Sequence, residues 1–153
     1  MRTPDADADR APRQISPVTR RMVLLRLHAL AAAVFVAAIT IQVFLAGLAL
    51  TDLGGSGDFN LHADFGYTWV GLAVLMVVVT ALLARRPRRD VGISLGLLGL
   101  YIVQTLLPAA KESVPAIAAL HPLNAMILFV LAIWYARHAW RAAMAPTAAQ
   151  TTA

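Results

Sequence analysis

Four long stretches of the chain carry no formal charge and are almost wholly apolar: residues 27–50, 65–84, 91–110 and 114–136. Polar positions gather in the short links between them, TDLGGSGDFNL at 51–61, RRPRRD at 85–90 and KES at 111–113. At about 1.5 Å per residue, even the shorter stretches cover roughly 30 Å, the thickness of a hydrocarbon core. Only helices and closed barrels satisfy their backbone inside lipid, and barrel strands would alternate apolar with polar. These stretches do not alternate. The pattern therefore predicts four transmembrane helices, over about 24–50, 62–84, 91–110 and 114–137, within a domain covering 21–142. Short links make successive helices antiparallel neighbours. The expected fold is an all-α membrane protein, an up-down-up-down four-helix bundle built from two helix hairpins.

Two local signals refine the ends. His121 precedes Pro122, and a residue before proline is biased away from helix. Residues 123–136 alone are too short to span, so the fourth helix is predicted to be kinked and to start near Ser113, with Pro115 tolerated in its first turn. Residues 1–20, rich in Pro, Asp, Ala and Arg, and residues 143–153 are predicted to be disordered tails.

Composition removes other fold classes. Of 153 residues, 59% are apolar and 14% charged, against about 25% charged in a soluble domain. The mean hydropathy is +0.70. With no cysteine, the chain forms no disulfide, thiolate zinc site, cysteine-ligated iron–sulfur cluster or covalently attached c-type haem. The net charge of +5 and pI near 10.7 could point to nucleic acid. Position argues against it, because the basic residues flank apolar stretches instead of lining one face. Arg2, Arg10, Arg13, Arg20, Arg21 and Arg26 precede helix one. Arg85, Arg86, Arg88 and Arg89 join helices two and three, and Arg137 and Arg141 end helix four. All twelve fall on one side, leaving only Lys111 on the other. The positive-inside rule then predicts both termini in the cytoplasm, in a bacterial inner membrane. Tyr67 and Trp69 fit an outer aromatic belt, and Trp134, Tyr135 and Trp140 an inner one.

Rare polar residues inside the spans carry the candidate chemistry. Gln42 lies near the end of helix one and His62 at the start of helix two. Gln104 and His121 stand the same way in the second hairpin. The separations are 20 and 17 residues, so the hairpins read as a parallel internal repeat. Helices two and four are diagonal in such a bundle, so His62 and His121 can both face its axis and take the two axial positions of one haem iron. Gly66 and Ala125, one turn further along the same faces, would leave room for a flat macrocycle. Gln42 and Gln104 would accept from the second ring N–H of each ligand. Taken singly, each histidine could equally be interfacial, and each glutamine could simply bond across helices. His28 and His138 form a second pair toward the Arg-rich side, in what reads as a headgroup zone, where a second haem is conceivable. Gly92, Gly96 and Gly99 on helix three read as a close-packing face. No nucleophile–base pair, carboxylate pair or H-E-x-x-H motif supports a membrane enzyme.

LHADFGYTWVGLAVLMVVVTALLAR and LHPLNAMILFVLAIWYARHAW resemble the histidine-bearing helices of haem A synthase, over about residues 21–142. The whole chain also resembles small bacterial four-helix membrane proteins of unassigned function. The first resemblance implies that His62 and His121 occupy haem-ligand positions. Only one of that family's two four-helix halves is present, so it implies a single-bundle b-type cytochrome and not haem A synthesis. Such a protein would carry electrons between a quinone, or a subunit of a membrane complex, and the outer side. A cofactor-free accessory or assembly subunit is the alternative.

Overall fold

A computed structural model describes residues 16–145. The two expected tails lie largely outside the described residues. Four helices are long and apolar enough to cross a membrane: α1 (Pro17–Ala49), α2 (Asn60–Leu83), α3 (Arg88–Ala110) and α4 (Pro115–Met144). The described residues contain no strand. The chain is an all-α, four-helix, multi-pass membrane protein. Large apolar side chains such as Phe44, Leu82, Leu106 and Val130 point outward around the bundle, as lipid contact requires.

Two boundaries differ from the sequence expectation. α1 starts at Pro17, inside the stretch expected to be a disordered tail, because Ser16 caps it by accepting from the Thr19 N–H at 3.2 Å and proline fits the first turn. At 33 residues it is about 50 Å long, so its first turns carry Arg20, Arg21 and Arg26 beyond the apolar zone. α4 continues to Met144, past the expected end at 137. The kink expected in this helix falls at Ala119, between Pro115–Ala118 and Leu120–Met144, where Pro122 has no N–H to donate.

α1 packs against α2 and α4, and α3 against the same two. The diagonals are thus α1–α3 and α2–α4. The core is rich in alanine: Ala29, Ala32, Ala38, Ala73, Ala132 and Ala139, with Phe35, Val74, Val77, Leu97 and Leu128. Small side chains let helix axes approach where lipid supplies no hydrophobic drive. α2 is not uniform. A wide π-turn over Gly66–Val70 follows its first turns, and such turns loosen the backbone ladder. Tyr101 of α3 meets the carbonyls there, donating to Gly66 O at 3.2 Å and Tyr67 O at 3.3 Å. Gly71 admits it, since a Cβ there would stand 2.5 Å from the Tyr101 hydroxyl. The α2–α3 turn closes with Arg85 in the left-handed region at φ 48°.

The expected close-packing role of Gly92, Gly96 and Gly99 does not hold within the bundle. All three face open space, because α3 turns this side away from its neighbours. The antiparallel order collects Arg20, Arg21, Arg26, Arg85, Arg86, Arg88, Arg89, Arg137 and Arg141 at one end of the bundle, and leaves Lys111 at the other.

Candidate functional site

At the end remote from the arginines, each hairpin is closed by its own glutamine and histidine. In the first, His62 Nδ1 donates to the backbone carbonyl of Gln42 at 3.0 Å. The Gln42 amide nitrogen donates in return to His62 O at 2.8 Å and lies 3.2 Å from His62 Nε2. A carbonyl only accepts, so the proton sits on Nδ1, and Nε2 keeps its lone pair. In the second hairpin, His121 Nδ1 stands 3.0 Å from both the Gln104 carbonyl and the Gln104 amide nitrogen. His121 Nε2 has no hydrogen-bond partner among the described residues. The glutamines thus meet the second ring nitrogens mainly through their backbone carbonyls, where side-chain oxygens were expected.

The two hairpins converge. The His62 and His121 rings, from diagonal helices, lie with centroids 6.3 Å apart and planes at 68°. With metal–nitrogen bonds of about 2 Å on each side, two axial imidazoles on one ion place their centroids roughly 6 Å apart. The observed centroid separation matches that spacing. The space is less open than the sequence suggested. Gly66 was expected to leave room for a macrocycle, but a Cβ there would meet the Gln42 amide nitrogen at 2.6 Å. A flexible side chain fills that niche. Ala125 is half-buried on α4. Its neighbour Asn124 is the buried residue.

Asn124 is the member of this site that sequence reasoning missed. It donates to Gln104 Oε1 at 2.7 Å and to Leu100 O at 3.0 Å. An asparagine in an apolar span is itself a rare polar residue, so the signal was present. The first hairpin has Phe65 where the second has Asn124, three residues past the histidine. Among the described residues nothing replaces the missing donor: Gln42 Oε1 is buried without a hydrogen-bond partner there. An unmet buried acceptor costs about 1–3 kcal/mol, so the repeat is chemically incomplete on the His62 side.

The Arg-rich end holds a second polar cluster, drawn from all four helices. His28 of α1 is 1% exposed. Its Nδ1 meets Thr80 Oγ1 of α2 at 3.0 Å, and its Nε2 meets the Tyr135 hydroxyl of α4 at 3.1 Å. Tyr135 also donates to Asp90 O at 3.1 Å and lies 2.7 Å from Ser94 Oγ on α3. The Asp90 carboxylate pairs with Arg86 and stands 3.3 Å from His138 Nε2. His138 stacks on Trp134, with centroids 5.9 Å apart.

This cluster corrects three expectations. His28 lies in the core, not in a headgroup zone. Tyr135 is a core residue, not part of an aromatic belt. The second haem has no place between His28 and His138, because the Tyr135 ring lies against both, at 5.6 and 6.4 Å, and both nitrogens of His28 are engaged. Thr80, Asp90, Ser94 and Arg86 had given no sequence signal of convergence.

A family of unknown function, DUF6220, matches residues 42–110. The match runs from Gln42 through α2 and α3, taking in His62 and Gln104, and stops short of His121. It spans less than half of the chain and brings no activity with it. No curated protein and no solved structure matches the chain.

Proposed function

We propose that the chain is a b-type haem-binding membrane protein, an electron carrier or haem-bearing subunit, with His62 and His121 as axial ligands. The observation that carries this reading is the approach of two histidine rings from diagonal helices to 6.3 Å, with His121 Nε2 unpartnered among the described residues and His62 Nε2 met only by the Gln42 amide. Among the described residues no three His, Asp or Glu side chains gather as a metal site. Two donors suit a group that brings its own in-plane nitrogens. Bound haem would supply one-electron chemistry. Gln42 and Gln104 hold the rings, and Gln42's amide is the group that must yield at His62. The electron partner would be a quinone or a neighbouring membrane subunit.

The charge pattern supports an orientation. With nine described arginines at one end and Lys111 at the other, the Arg-rich end faces the cytoplasm of a bacterial inner membrane, and both termini are inside. Reporter fusions at residues 56 and 88 should then report outside and inside respectively. The same side for both would end this topology.

The haem reading is tested by purification from haem-replete cells in mild detergent. A low-spin, six-coordinate spectrum is expected. His62→Ala and His121→Ala should each abolish it, and His28→Ala and His138→Ala should leave it in place. A colourless protein would overturn the proposal. It would leave the second reading, a cofactor-free accessory subunit. That reading draws support from the Gly66 niche already being filled and from the glutamine–histidine clasps closing on themselves.

A further inference from the structure

A shallow groove of about 370 Å³ runs between α1 and α4 at the Arg-rich end, lined by Ala33, Ala136, Arg137, Trp140 and Arg141. Two alanines make its floor, where larger side chains would close the gap between the helices. Arg137, Trp140 and Arg141 follow the i, i+3, i+4 spacing that puts them on one face of α4. Both arginines are exposed, and neither forms an ion pair or hydrogen bond among the described residues. Asp90 is the one described acid at this end, and Arg86 and His138 hold it. The rim is therefore cationic with no counter-charge from the described chain, over an apolar floor that opens to lipid.

We propose that this groove binds an anionic phospholipid of the leaflet at the Arg-rich end, its phosphate between Arg137 and Arg141 and an acyl chain along Ala33 and Ala136. Guanidinium forks match phosphate oxygens in pairs, and basic pockets between transmembrane helices select anionic headgroups. Zwitterionic lipids carry a cationic group that the same rim repels. Trp140 walls the groove and reports on what enters it. The site is independent of any cofactor at the far end.

The test uses full-length protein with Trp140 as its single tryptophan (W69F/W134F), reconstituted in phosphatidylcholine vesicles. A small constant fraction of the lipid carries brominated acyl chains, either as phosphatidylglycerol or as phosphatidylcholine. At about 1 kcal/mol for each of two guanidiniums, the anionic lipid should be enriched in the groove roughly thirtyfold. Brominated phosphatidylglycerol should therefore quench Trp140 clearly more than brominated phosphatidylcholine, and R137Q/R141Q should remove the excess. Both substitutions are at exposed positions and should leave helicity unchanged. A protein with Trp134 alone (W69F/W140F) separates a built site from diffuse surface attraction, because Trp134 lies at the same end but in the α3–α4 groove. Equal quenching of Trp140 by both lipids would overturn the proposal. So would an equal excess at Trp134, or an excess that survives R137Q/R141Q.

Discussion

At the Arg-rich end His28 uses both ring nitrogens, one on Thr80 and one on Tyr135. At the far end, among the described residues, His121 Nε2 has no partner and a buried glutamine oxygen beside His62 has no donor. The residue type is the same, and α1 alone separates His28 from Gln42 by about 21 Å. Burial would have ranked His28 first as a functional residue, since His62 and His121 are only half-buried. Hydrogen-bond accounting reverses that order. His28 is held on both sides by buried hydroxyls, whereas His121 Nε2 has no partner among the described residues and His62 Nε2 meets only the end of the flexible Gln42 side chain. An apolar middle section, with Ala32, Phe35, Ile39, Val74 and Leu128 in its core, lies between the two ends. Substitutions at one end should therefore add independently to those at the other.

The largest expected effect breaks the Arg-rich end. The side chains of Arg86 and Asp90 are 9% and 5% exposed, so Asp90→Asn leaves a buried guanidinium without its counter-charge. Such loss costs about 3–5 kcal/mol. Unfolding by sodium dodecyl sulfate titration should show that loss, and on the haem reading proposed above the spectrum of the folded fraction should not change. Replacing both partners with leucine should recover most of it, because the unpaired charge goes too. Full stability in Asp90→Asn would mean that this pair does not hold the bundle.

What the sequence made legible follows the same division. Four spans could be counted because hydropathy accumulates over twenty residues and tolerates local error. The Gln42–His62 and Gln104–His121 pairs stood out because polar residues are scarce in such spans. The Arg-rich cluster did not, since Thr80, Ser94 and Tyr135 are ordinary helix residues taken one at a time. Their convergence depends on how each helix is rotated about its axis. In spans apolar all round, hydrophobic periodicity is too weak to set that rotation. Helix ends were misread for another reason. Charge marks where the membrane stops, and Ser16 capping continues α1 well past that point.

A smaller effect sharpens the contrast between the two hairpins. Asn124→Leu removes the donor to Gln104 Oε1 and to Leu100 O. Hydrogen bonds across membrane helices average about 0.6 kcal/mol and reach about 1.7, so a loss of 1–2 kcal/mol is expected by the same titration. Gln104 would then resemble Gln42, with its side-chain oxygen unmet. If Asn124→Leu has no effect, the completeness of the second hairpin carries no energy, and the asymmetry between the repeats is incidental.

The smallest effect probes the niche itself. In Gly66→Ala the new methyl would stand 2.6 Å from the Gln42 amide nitrogen, too close to persist. The amide is the far end of a flexible side chain, so it moves and the backbone stays. That motion gives up the bond to His62 O and frees His62 Nε2. Gln42 already has an unmet oxygen, so the net cost should stay under about 1 kcal/mol. Gln42→Ala should make Gly66→Ala nearly neutral, since nothing then occupies the niche. This coupling is what a double-mutant cycle measures. Additive losses would show that the niche is closed by something other than Gln42. The spectrum provides the second readout. If the Gln42 amide competes with iron for His62, Gln42→Ala should raise haem occupancy at limiting haem, whereas a clasp that orients the ring for iron predicts a fall. A rise would assign the His62 side of the repeat as a gated ligand, in contrast to the fixed, fully bonded histidine at the other end.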